Sequence, residues 1–405
     1  MVGLTAAMVA SACTGDGSAN TTTTLPSAVT TTTAPPRDND GILRIGVFLP
    51  RTGPGTGLGE PMTAEIERAV ADINPAGGVL GNPVELTAID EGAGTGPSAL
   101  LSEDVDAIIG PASSAVALSQ LSPVVQPSTG VVTCSPSATA LLLDDYPDNG
   151  FFFRTVPSDS LQMAAIARNA REQGVQTVAV GFLDDPYGRG LVDAFTEEVQ
   201  ARSGTIVAEV GFSADQEDLD SVVDELLAND PGVVVVLGDG DDGGRLLTAL
   251  DQSSAFSSVR RFIVNDSIRT ATATVQGLSA NFRTRLTAIA PLATTVREDG
   301  PEGYFTAHAV DCLNLIALAA LSAGSDDPDL VRVRMASSAS GGQPCRDFAR
   351  CAELIEDNLD IDYQGLSGAV ELSNSAGNLV RGWFEAFSFA EDGSESGNTS
   401  FEVAG

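Results

Sequence analysis

Short apolar runs, each closed by a turn of small residues, recur along most of this chain. The segments 43–49, 84–89, 105–109 and 131–134 are rich in apolar residues; the first, third and fourth stop at Pro50, Gly110 and Ser135, and the second at Asp90. Runs this short, without strict alternation, predict strands buried on both faces, as in a parallel sheet. Between them Ile66, Ala69, Val70 and Ile73 repeat at helical spacing, so a helix from about Pro61 covers one face of that sheet. Residues 115–121 show the same spacing behind Ser113 and Ser114, which places a serine at the helix N-cap. The segment 151–157 reads as a crossing, after which the pattern restarts. A helix over 161–172 is followed by strands over 177–183, 205–210, 233–237, 261–264 and 286–290, with helices over 218–228 and 244–250. Residues 313–321 are apolar all round and predict a buried helix, and 367–372 and 383–389 read as closing strands. Strands alternating with helices in two successive series predict two doubly wound α/β units.

Composition narrows the chemistry. The formal net charge is −34 over 405 residues, which excludes a nucleic-acid or anionic-membrane partner by repulsion. All 21 basic residues are arginine, so Schiff-base chemistry and a Walker lysine have nothing to draw on. His308 is the single histidine, which leaves little for a multi-histidine metal site or a serine–histidine triad. Cys134 with His308 is the thiol arrangement that composition allows. Gly238, Gly240 and Gly243 form a glycine fingerprint between a strand and a helix, but Asp239, Asp241 and Asp242 within it repel a pyrophosphate. The same acidic cluster lacks the distal glutamate of a calcium loop. No cofactor or metal is implied.

Residues 2–12 are small and apolar and end at Cys13, as an export signal with a lipidation site would. Residues 14–40 are rich in Thr, Ser, Pro and Gly, with nothing to offset the entropy of ordering, so 1–41 reads as a signal and disordered tether. For an exported protein the remaining four cysteines favour disulfides. Cys345 and Cys351 form the natural local pair, whereas Cys134 and Cys312 either pair or stay as buried thiols.

An ordered series of motifs resembles one family. It runs from Ile45-Gly-Val-Phe-Leu-Pro50 with Thr52-Gly53, through Ile109-Gly110-Pro111 before Ser113-Ser114, and Ser135-Pro136-Ser137-Ala138-Thr139. Pro157-Ser158-Asp159, Asp185-Pro186-Tyr187-Gly188 and Val310-Asp311 continue it. Over 42–390 the chain resembles the type I periplasmic solute-binding proteins of ABC importers, in particular the branched-chain amino acid-binding group. That resemblance implies two doubly wound parallel-sheet lobes joined by three crossover segments, and no catalysis. The lobes would be 42–156 with 297–362 and 157–296 with 363–405. It further implies a monomeric, extracytoplasmic lipoprotein that delivers an amino acid-like solute to a membrane ABC permease and meets the membrane only through its anchor. By the same resemblance Thr52, Ser113, Ser114, Ser135, Ser137 and Thr139 would serve the solute on the first lobe. Tyr187, Asp239 and Asp266 would serve it on the second, with Asp266 accepting the ammonium. Arg51 stands where the family commonly has an apolar residue, and would favour an acidic solute if it faces the cleft. The same fold also serves ligand sensors, which leaves a regulatory role as the alternative.

Overall fold

The computed structural model describes residues 39–53, 55–238, 240–292 and 303–405, without the side chains of Gln173 and Thr270. The expected leader with Cys13, and Asp239, lie outside the described residues. Five strands form the first sheet: β1 Arg44–Leu49, β2 Glu85–Asp90, β3 Ala107–Ile109, β4 Val132–Ser135 and β5 Phe152–Arg154. Their order is β2-β1-β3-β4-β5, every pair parallel, with Val47 opposite Ala88 on one side and Ile109 on the other. All their carboxyl ends therefore open on one edge. The order reverses between β1 and β3, and such a switch point leaves a crevice at the strand ends.

Helices cover both faces. The helix Thr56–Ile73 seats Met62, Ile66 and Val70 in the core on one face, and Ser114–Gln120 seats Ala117 in the core on the other. The first of these helices starts at Thr56 rather than near Pro61. The polar opening turn gives no apolar periodicity, but Gly59 lets it lie against the end of β1, where a Cβ would come 2.0 Å from the Pro50 carbonyl oxygen.

The second sheet repeats the same winding with β6 Thr177–Leu183, β7 Thr205–Phe212, β8 Val233–Leu237, β9 Arg261–Val264 and β10 Leu286–Pro291. A small ribbon of β11 Gln343–Cys345, β12 Ile361–Gly365 and β13 Gly368–Ala369 follows, so of the expected strand over 367–372 only Gly368–Ala369 is strand, with Leu372 in a single bridge to Leu379. The chain then returns as β14 Arg381–Phe389 and β15 Glu395–Ala404, which extend the second sheet antiparallel to give the order β15-β14-β10-β9-β8-β6-β7. The second sheet is thus mixed rather than wholly parallel. β15 carries no apolar run, because it is a largely exposed edge strand, and the pattern of residues gave no sign of it.

The helix Thr306–Ala323 is long and apolar enough to span a membrane by composition, yet 83% of that stretch is buried inside the protein. It belongs to the first core, beside Tyr363, Val370, Leu372 and Leu379. The expected boundary at 362/363 therefore falls within this core, and the chain leaves it only after Leu379. Hydrophobic spacing marks a segment as buried without saying which core takes it.

The three crossings lie side by side. Leu292 N–H donates to Trp383 O at 2.8 Å, and Gly382 packs against Pro157 closely enough that a Cβ would meet its ring at 2.4 Å. His308 bridges the first two, with Nδ1 2.7 Å from Thr155 O and Nε2 2.9 Å from Leu292 O. Cys134 and Cys312 are joined as a disulfide, which fastens β4 to the helix Thr306–Ala323, and Cys345 pairs with Cys351. That bond removes the thiol nucleophile, and the His308 ring is engaged at the crossings instead.

Candidate functional site

The first sheet's carboxyl edge is shaped by loops whose polar groups mostly satisfy one another. β3 ends at Gly110, whose φ of 124° and whose approach to Phe48 O, 2.0 Å from any added Cβ, admit only glycine. Beyond it the buried Glu91 carboxylate accepts from the N–H groups of Ala112 and Ser113 at 2.8 and 2.9 Å. Burial pushes the Glu91 carboxyl above its ordinary pKa, against those two hydrogen bonds. Ser113 caps the following helix by accepting from Val116 N–H, and Ser114 Oγ accepts from the N–H groups of Thr139 and Ala140 at 3.0 and 3.2 Å. With two bonds accepted, the Ser114 hydroxyl keeps its proton to donate outward.

Ser135 is fully buried; its hydroxyl donates to Pro111 O at 2.6 Å and accepts from Ala138 N–H at 3.0 Å. Ser137 Oγ donates to Ala112 O at 3.0 Å. Thr52 is exposed and bonds the Asp90 carboxylate at 2.5 Å, holding the turn after β1 to the end of β2. Its neighbour Arg51 is exposed as well, and its N–H donates to Asp90 Oδ1 at 2.8 Å. Beneath the loop, the fully buried Arg154 donates to Ala138 O, Ala140 O and Asn378 Oδ1 at 3.3, 3.2 and 2.8 Å and pairs with Asp144.

The second lobe meets this loop at Asp159, whose N–H donates to Thr139 O at 2.9 Å. Asp159 opens the helix Asp159–Ala170, capped by Ser158, and is only 1% exposed. Tyr187 donates to its Oδ2 at 3.1 Å, whereas Oδ1 is buried with no partner in hydrogen-bonding geometry. Burial and then the charge of Asp266 push the Asp159 carboxyl up to about 7, although the nearby Thr139 hydroxyl, Tyr187 and Arg154 favour its charged form. Asp266 Oδ1 accepts from Gln162 Nε2 at 2.8 Å, and Gln162 Oε1 and Asn265 Nδ2 are buried without partners. Tyr187 is placed by the start of the helix Pro186–Ala201, where Asp185 caps Gly188 N–H and Pro186 fits the first turn. Although Tyr187 is 37% exposed as a residue, desolvation of its hydroxyl end and then the Asp159 charge push the phenol far up, so it stays a donor.

The fold thus gathers Ser114, Thr139, Tyr187 and Asp266 around Asp159, whereas Thr52, Ser113, Ser135 and Ser137 are engaged within the first-lobe loops. Asp159 itself was part of a recognised motif but not a candidate for the site. Its only local signal is an acid in the first turn after a crossing, and that also describes an ordinary helix start.

The sequence profile described as "Periplasmic binding protein" matches residues 42–339. The chain belongs to the periplasmic binding protein family. This binding protein is 26% identical over 81% of its length to the chemotactic signal transduction system substrate-binding protein BasB of Halobacterium salinarum, covering 83% of that protein. It is 25% identical over 72% of its length to Leu/Ile/Val-binding protein homolog 1 of Brucella abortus, covering 81% of it. The binding protein also shares its fold with the branched-chain amino acid transporter substrate-binding protein LivJ of Streptococcus pneumoniae, solved with isoleucine. The TM-score is 0.62 and the identity 20%, covering 89% of this chain and 99% of that one. These relatives are solute-binding proteins and not enzymes, and their family works outside the cytoplasm.

Proposed function

We propose that this protein captures an amino acid or a closely similar small polar solute between its lobes and hands it to an ABC permease. The reading is carried by Asp159: a buried carboxylate oxygen without a partner, beside a second carboxylate and opposite hydroxyl donors, suits a group that is both cationic and hydrogen-bonding. In this reading the ammonium lies against Asp266 and Asp159. The carboxylate takes the Ser114 proton and the Thr139 hydroxyl, and Tyr187 closes across the solute. Thr52, Ser113, Ser135 and Ser137 shape the loops that present these groups. The lobes, 42–156 with 303–379 and 157–292 with 380–405, close by bending at the crossings, where His308 joins two of them. Cys13 would carry the lipid and the threonine-rich segment would tether the protein outside the cell membrane.

A sensory role in place of delivery is favoured by one observation, the match to the chemotactic BasB protein over 81% of the chain. Thermal melting of the purified protein against amino acids, amides, urea and aromatic acids tests the binding reading. An amino acid at about a hundred times its Kd adds ~2.7 kcal/mol, hence several degrees in Tm. Asp266→Ala should lose that rise. A rise with aromatic acids and none with amino acids would refute the assignment. Cells lacking the protein should fail to take up the labelled solute; intact uptake with a lost tactic response would select the sensor.

A further inference from the structure

The acidic end of the site holds more carboxylate than a single ammonium group requires. Asp159, 1% exposed, keeps Oδ1 unpartnered, and the fully buried Gln162, which donates to Asp266, keeps Oε1 unpartnered as well. A buried carboxylate beside a second one resists ionising while no cation lies between them. We propose that Asp159, beside Asp266, holds a proton in the empty cleft and releases it to solvent when an amine-bearing solute binds, so that solute capture is coupled to proton release. This rests on the amino acid reading above.

The proton belongs to Asp159. Asp159 is 1% exposed and keeps Oδ1 unpartnered, whereas Asp266 is only half-buried and its Oδ1 accepts from Gln162. Among the described residues, the groups that act on it are Asp266 after β9, Thr139 after β4, Tyr187 on the helix Pro186–Ala201 and Arg154 at the end of β5. Arg154 is already engaged by Asp144. On binding, the carboxyl O–H bond breaks and the proton passes to water or buffer. The ammonium arrives already charged and donates to the freed carboxylate, and nothing is oxidised or reduced. With the carboxyl at about 7 in the empty protein, affinity should rise with pH up to neutrality and level off above it.

Titration calorimetry of L-leucine, with L-isoleucine and L-glutamate as further probes, tests this in two buffers of different ionisation enthalpy at pH 6 and pH 8. The expected release is ~0.9 proton at pH 6 and ~0.1 at pH 8, with affinity about tenfold weaker at pH 6. Asp159→Asn should bind more weakly and release no proton at either pH. Should that variant fail to fold, Tyr187→Phe removes a donor to the charged Oδ2 and should increase the release at pH 8. Binding with no proton release overturns the coupling and leaves the amino acid reading standing. No binding by any of the amino acids overturns both.

Discussion

The two edges that face each other across this molecule are built from the same winding but differ in how their polar groups are spent. On the first-lobe edge Ser114, Ser135, Ser137 and Glu91 bond neighbouring backbone, and Arg154 ties the loop from below. On the second-lobe edge Asp159, Gln162 and Asn265 each keep a buried atom without a partner. A satisfied network holds a rigid shape, whereas an unmet buried atom costs stability until something fills it. The first edge is therefore a preset frame, and the second is the edge where, in the proposed function, the solute would meet unpartnered atoms.

Substitutions on the two edges should change stability in opposite directions, which is the most direct way to break the comparison. Arg154→Ala should be the most damaging. It leaves Ala138 O, Ala140 O and the Asp144 carboxylate without their cation, at a cost of ~3–5 kcal/mol measurable by denaturant unfolding. A loss under about 1 kcal/mol would show that the frame does not depend on it.

Asp159→Asn should stabilise the empty protein. The Asp159 carboxyl is held at about 7 against an ordinary 3.8, so the folded state keeps a proton that the unfolded chain gives up. The empty wild type accordingly loses stability as pH rises from about 4 to about 7, by up to ~4 kcal/mol, and changes little from this source above that. The Asn variant should lack this slope and be the more stable at pH 8. A variant less stable than wild type at pH 8 would place Asp159 with the satisfied edge.

Ser114→Ala is the mildest test. Two amides lose their acceptor, so the empty protein should lose ~1–2 kcal/mol. An unchanged melting temperature would mean that the Ser114 hydroxyl serves only the solute.

Much of the fold was legible because the local signals are strong. Thr177–Leu183, Val233–Leu237 and Arg261–Val264 appear as strands at the residues their apolar runs mark. The local Cys345–Cys351 pair followed from spacing, whereas Cys134–Cys312 stayed open because 178 residues separate the two positions and only packing brings them together. Legibility was lower at the site. Ser114 and Ser135 look alike in sequence, as serines next to a strand end. One is half-buried with a proton to donate, and the other is sealed beneath the loop.

By itself, then, the sequence determined the alternating elements, the two repeated windings, the acidic, lysine-free character and the family. Each depends on neighbours along the chain or on composition. Only the tertiary structure decided that 363–379 stays with the first core, that an antiparallel pair closes the second sheet, and that Asp159 is a buried acid with an unpartnered oxygen. These depend on contacts between residues far apart in the chain, and hydrophobic spacing does not encode which distant partner a buried group meets.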